Sequence, residues 1–187
     1  MPFVKMSEKY EEDKARINAV RNGDQRAFEE IVEKYRGMVA KVVIGMLGNR
    51  PDADDVGQET FIRFYRSLNQ YKGEASLGTY LTRIAINLSL NALKKRKRHE
   101  MTELDEKHNP LWIHASSSQQ SDNVEWVQKA LAQLDEKYRV VVVLRLIEGY
   151  STKETAQILR LPEGTVLSRL ARAQVKLKSI LEKLEDS

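Results

Sequence analysis

From Asp24 to Gly48 the apolar residues Ala27, Phe28, Ile31, Val32, Tyr35, Met38, Val39, Val42, Val43 and Met46 return every three or four positions. That period belongs to a helix with one buried face, and a run this long leaves little room for any other structure. Asp24 offers a side-chain oxygen to the free amides at the start, and Gly48 is the residue type that ends helices. The same period recurs through most of the chain. Nine glycines and four prolines in 187 residues, with 31% charged residues, favour a helix-rich fold over a sandwich or barrel. The pattern predicts an all-α protein of two small helical domains joined by a flexible linker.

The first half holds three further helical patterns. A short helix through Ala15, Ile17 and Val20 should stop at Asn22-Gly23, with residues 1 to 10 frayed. Pro51 and Asp52 open a helix reaching about Leu68. Its buried side carries Ala53, Val56, Thr60, Phe61, Phe64 and Leu68, and its other side Asp55, Gln58, Glu59, Ile62 and Arg66. An isoleucine centred in a polar face fits a docking surface with an apolar middle and charged rim. It equally fits a solvated face with one exposed apolar residue. Asp52, Asp54, Asp55 and Glu59 invite a magnesium site. First-turn acids are already accounted for by the helix dipole, so no metal and no cofactor are expected.

Asn69 to Ala75 forms a polar loop with Tyr71, Lys72 and Gly73, and Ser76 caps a helix whose apolar face is Leu77, Tyr80, Leu81, Ile84, Ala85, Leu88 and Ala92. That helix ends in Lys94, Lys95, Arg96, Lys97 and Arg98. Five successive cations repel one another and gain most from a polyanion, with phosphates the obvious candidate. A ring and a cation ahead of such a run suit a platform on which single-stranded bases stack, although the sequence pattern alone favours a core position for Tyr71.

Helical periodicity lapses from His99 to Ser121, which reads as a linker with an apolar insert, Leu111, Trp112 and Ile113. His99, His108 and His114 follow no zinc spacing. Beyond it, Asp122 caps a helix through Val124, Val127, Leu131 and Leu134. Asp135 starts another in which Val140 to Leu144, Leu146 and Ile147 are apolar nearly all round, as expected for the centre of a second domain. Gly149 stops it. Ser151 and Glu154 then form a capping box, and Pro162 suits the first turn of the last helix. There Val166, Leu170, Ala173, Leu177, Ile180, Leu181 and Leu184 share a core face. Thr165, Ser168, Ala171, Arg172 and Val175 lie opposite, flanked by Arg169 and Lys176. Two helices joined by a tight turn, the second offering hydroxyls and a forked arginine, suit a helix-turn-helix reading a major groove. A helical hairpin with a solvated basic face is the plainer alternative.

The chain has no cysteine, so disulfides and thiolate chemistry are excluded. No apolar run approaches the roughly 20 residues that span a bilayer, and the amino terminus is too charged for a signal peptide. A cytoplasmic protein with no membrane insertion is expected.

Three stretches together resemble bacterial RNA polymerase sigma factors of the extracytoplasmic-function (ECF) type in the sigma-70 family. They are Asp54-Asp55-Val56-Gly57-Gln58-Glu59-Thr60-Phe61, the run from Thr79 to Asn87, and Pro162 to Leu170 with Arg172-Ala173. The resemblance implies a region 2-like domain over 1–98, a linker over 99–121 and a region 4-like domain over 122–187. It implies a non-catalytic initiation factor whose partners are core polymerase, through the β′ clamp and the β flap, and promoter DNA. An anti-sigma partner is common in such a family. By the same resemblance Asp55, Gln58, Glu59 and Ile62 would dock on polymerase, and Tyr71, Lys72, Tyr80 and Asn87 would hold the melted minus-ten strand. Lys94 to Arg98 would touch promoter backbone, and Thr165, Ser168, Arg169 and Arg172 would read the minus-thirty-five groove. The chain departs from the family pattern at Tyr80, where tryptophan is usual, at Leu167, commonly basic, and at Ala171, which is bulky in some members. A helix-turn-helix repressor binding duplex DNA unaided and a metal-dependent nuclease using the acids near Asp54 are the competing classes.

Overall fold

The computed structural model describes the backbone of residues 2–103 and 122–185, and the side chains of residues 10–99 and 125–184. Among the described residues every regular element is helical: α1 (Pro2–Arg21), α2 (Gln25–Leu47), α3 (Pro51–Arg66), α4 (Leu77–Glu103), α5 (Asp122–Ala132), α6 (Glu136–Val142), α7 (Thr152–Leu159) and α8 (Glu163–Glu185). The linker residues Leu111, Trp112, Ile113, His108 and His114 lie outside the described residues.

Several predicted caps are in place, although Asp135 precedes α6 without a side-chain capping bond and Asp122 is itself the first residue of α5. Asp24 accepts from the amides of Arg26 at 2.9 Å and Ala27 at 3.2 Å, and Gly48 closes α2 with φ +80°. Ser76 Oγ accepts from the Thr79 amide at 3.1 Å, and Pro51 stands in the first turn of α3. Two boundaries differ from expectation. Helix α1 starts at Pro2, where fraying was expected, and α4 runs to Glu103, beyond the end of its basic run.

The two helical bodies share a core. One contiguous cluster takes Ile31, Val42, Met46, Phe64, Leu81 and Ile86 from the first half and Val140, Val141, Val143, Leu144, Ile158 and Val166 from the second. A smaller cluster, Leu131, Leu134, Tyr138, Val142 and Ala173, belongs to the second half alone. Helix α6 therefore works from two sides, which is the physical use of a segment apolar nearly all round. After Val142 the chain widens into a π-type turn, Val143–Ile147, with the Glu148 amide donating to the Val143 carbonyl at 2.9 Å. The widened turn leaves Leu146 51% and Ile147 43% exposed, although the sequence pattern had placed both in the core.

Polar contacts cross between the halves. The hydroxyls of Thr82 and Tyr150 stand 2.8 Å apart, and Arg83 donates to the Gln157 carbonyl at 3.0 Å. Arg139, only 9% exposed, donates to the carbonyls of Met46 at 2.7 Å, Ala132 at 2.7 Å and Leu134 at 3.1 Å. Gly45 faces Val143 so closely that a Cβ there would meet its methyls at 3.0 and 3.1 Å.

Candidate functional site

Three surfaces carry the candidate residues. On α3, the burial of Ala53, Thr60, Phe61 and Phe64 turns the opposite face outward. Asp55 and Gln58 are exposed there, as is Ile62 at 43%, while Glu59 pairs with Arg63 Nε at 3.0 Å. The sequence reading missed Tyr65, three residues beyond Ile62 and 53% exposed, which extends the apolar centre. Its ring is held edge-on to Phe28 at 5.0 Å. Helical spacing from Ile62 was the available signal.

The second surface is the loop between α3 and α4, opened by a 3-10 turn, Leu68–Gln70. Tyr71 is buried at 8% exposure, its hydroxyl donating to the Ala75 carbonyl at 2.6 Å, and burial pushes its pKa up to about 12. Tyr80, half-buried, lies 4.9 Å from the Tyr71 ring and donates to Ser67 Oγ at 3.1 Å. The two rings thus brace the loop from beneath instead of standing open to solvent. Lys72 and Asn87 are exposed.

The basic run divides. Lys94, Lys95 and Lys97 are exposed along α4. Arg96 turns inward: its Nε donates to Asp52 Oδ2 at 2.8 Å, its Nη2 reaches the same oxygen, and its Nη1 donates to the Leu47 carbonyl at 3.3 Å. It fastens α4 to the corner between α2 and α3. Asp52 is thereby claimed by a guanidinium, and no cluster of three or more metal-ligating side chains occurs among the described residues.

The third surface is the helix-turn-helix of α7 and α8. Ser151 Oγ accepts from the Glu154 amide at 3.2 Å, and the Glu154 carboxylate accepts from the Ser151 amide at 2.8 Å. Hydrogen bonding to the carboxylate from the Ser151 side chain, and from its amide, holds the Glu154 carboxyl below its ordinary value. Arg160 makes the turn in the left-handed region, φ 54°, and Leu161 packs against the shared core in the angle between the helices. Helix α8 begins at Glu163, one residue past Pro162. Burial of Val166 and Ala173 against the core presents Leu167, Ser168, Ala171, Arg172 and Val175 to solvent, with Thr165 and Arg169 half-buried on the flanks. Ser168 Oγ donates to the Thr165 carbonyl at 3.1 Å, so its hydroxyl is tied to its own helix. Val175, at 73% exposed, lies on the outward side where its spacing puts it, and Leu167, at 54%, joins it there although the sequence pattern had not placed it on that side.

Comparison with known proteins agrees with this geometry. Residues 31–99 match the family Sigma-70 region 2, and residues 124–177 match Sigma-70, region 4. The ECF RNA polymerase sigma factor SigW of Bacillus subtilis is 33% identical over 182 residues, covering 91% of this chain and 97% of that protein. The RNA polymerase sigma-H factor of Pseudomonas aeruginosa is 33% identical over 185 residues, covering 93% and 96%. Among solved structures, CnrH in complex with the cytosolic domain of CnrY superposes with a TM-score of 0.67 at 25% identity, covering 92% of this chain and 98% of that one. The sigma factor RpoE of Bartonella quintana, solved with the anti-sigma factor NepR, shares the fold with a TM-score of 0.68 at 22% identity, covering 83% and 96%.

Proposed function

The chain belongs to the ECF sigma factors of the sigma-70 family, non-catalytic initiation factors with promoter-recognising regions 2 and 4, and we propose that its halves divide the promoter between them. The first takes the melted minus-ten strand. The second places α8 in the minus-thirty-five major groove, with Arg172 and Arg169 toward base edges or phosphates and Thr165 and Ser168 close by. The observation that carries this reading is the outward face of α8, which stays open to solvent while its other face is spent on the core. Neither module need bind tightly alone, because two tethered contacts gain through effective concentration.

Core polymerase would meet Asp55, Gln58, Glu59 and Ile62 through its β′ clamp, and the second half through its β flap. In the first half, Lys72 and Asn87 line the strand's path, with Tyr71 and Tyr80 supporting from below, and Lys94, Lys95, Lys97 and Arg98 approach the backbone. Arg96 supports the corner instead. Residues 1–98 and 122–187 act as the two modules and 99–121 as the tether. Such a protein works in the cytoplasm, beside the chromosome. An anti-sigma protein is a further proposed partner, on the precedent that the solved RpoE relative is bound to one.

Run-off transcription with purified core polymerase and a promoter library tests the whole reading. Transcripts that start at defined promoters only when the chain is present are expected, and a library that yields none would overturn it.

A further inference from the structure

The minus-ten loop receives much of its shape from outside itself. Helix α1 runs alongside it, seated by Ile17 and Val20 in the core and tied to α2 by polar contacts. Asp13, 6% exposed, accepts from Tyr35 Oη at 2.5 Å and from Lys34 Nζ at 2.6 Å, and Arg16 Nε donates to Glu30 at 2.9 Å. From this footing two side chains reach the loop backbone. Arg21 Nη2 donates to the carbonyls of Leu68 at 2.9 Å and Tyr71 at 2.6 Å, and Tyr10 Oη donates to the Gly73 carbonyl at 3.0 Å. Gly73 has φ +76°, and a Cβ on it would meet Tyr10 Oη at 2.9 Å, so backbone and phenol approach as only glycine allows. Three loop carbonyls, at 68, 71 and 73, are therefore held by α1, while the Tyr71 hydroxyl holds the one at 75.

The geometry points to α1 as a strut that presets this loop, with Arg21 and Tyr10 as positioning residues for capture of the unpaired strand. The inference rests on assigning the loop to the minus-ten element. Ordering a residue's backbone costs roughly 1–2 kcal/mol, so a loop fixed before the strand arrives binds it at lower entropic cost. Neither residue touches the bases in this arrangement. Tyr10 and Arg21 act through the carbonyls that set where Lys72 and its neighbours stand.

The test uses reconstituted holoenzyme and a fluorescent single-stranded oligonucleotide carrying the non-template minus-ten sequence. Tyr10→Phe keeps the ring and removes one donor, and Arg21→Lys keeps the charge and removes the Nη2 group that donates to both carbonyls. Each is expected to weaken oligonucleotide binding about three- to tenfold, as the loss of one or two hydrogen bonds allows. Polymerase affinity and minus-thirty-five duplex binding should stay at the values of the unaltered chain, and Tm should fall by no more than a few degrees, as so few lost hydrogen bonds allow. Oligonucleotide affinity unchanged in both variants would overturn the strut, as would a loss matched by equal loss of polymerase affinity. Failure of the unaltered holoenzyme to bind the oligonucleotide would instead overturn the loop assignment on which the strut depends.

Discussion

Arg160 occupies the left-handed turn between the two helices of the DNA-reading unit, a conformation that costs a residue with a Cβ roughly 1 kcal/mol and glycine almost none. Arg160→Gly should therefore stabilise the chain by about 1 kcal/mol, seen as a Tm rise of about 2–4 °C, provided the guanidinium makes no essential contact. Arg172, exposed on α8, stands at the other extreme: it contributes nothing to the core. Arg172→Ala is expected to cost about 1–3 kcal/mol of discrimination at one minus-thirty-five position in a competition gel shift with holoenzyme, leaving polymerase affinity unchanged. Such single residues also mark what the sequence withheld. Arg96 reads as one of five interchangeable cations, yet it binds Asp52, 44 positions away. Arg21 likewise binds a loop carbonyl 50 positions away, while the burial of Tyr71 follows its sequence pattern. No local spacing announces pairs so distant in the chain, whereas the Ser151–Glu154 box lies within one turn and was legible at once.

At the level of the element, periodicity located the helices because each has one side to bury. It failed where a helix has two. The valines of α6 serve both clusters, so no polar stripe revealed its orientation, and the π-type turn that carries Leu146 and Ile147 outward leaves no mark in the hydrophobic pattern. Helix α3 does obey the simple rule, and its outer face can be altered without touching the core. Glu59→Lys loses one surface pair with Arg63, worth about 0.3–0.5 kcal/mol, so the fold should persist. Pull-down of core polymerase should fall sharply while duplex binding by the second half is retained. Helix α8 carries a different surface, an apolar line of Leu167, Ala171 and Val175 at four-residue spacing through its exposed face. Thymine methyl groups are the apolar feature of a major groove. Replacing thymine by uracil in the minus-thirty-five duplex should lower holoenzyme affinity several-fold, in the range expected for apolar base contacts, and Leu167→Ala should abolish the difference.

Across the whole molecule, the division into two bodies was legible from the lapse of periodicity after His99, but the core they share was not. Arg139 concentrates that union, joining the end of α2 to the end of α5 through three carbonyls. Burial lowers its pKa from the ordinary arginine value, and Glu136 partly opposes this. Arg139→Ala leaves those acceptors unmet and should destabilise the chain by about 3 kcal/mol or more, measured as a lower urea midpoint, because bonds from a charged donor are the costly ones to lose.

The meeting of Thr82 with Tyr150 has a further consequence. Boxes named for positions minus ten and minus thirty-five lie nominally about 25 base pairs apart, roughly 85 Å of duplex at about 3.4 Å per pair. With the halves dividing the promoter as proposed, hydroxyls that now touch would have to travel apart before one molecule could grip both boxes, and polymerase would then have to shelter the greasy flanks laid bare by their parting. The chain contains no cysteine of its own, and a Cβ on Gly45 would stand 3.6 Å from Val143 Cβ across the same junction, so Gly45→Cys with Val143→Cys would permit one chosen disulfide. Oxidised, that variant should stay folded yet silent in run-off transcription, and a reducing agent should wake it.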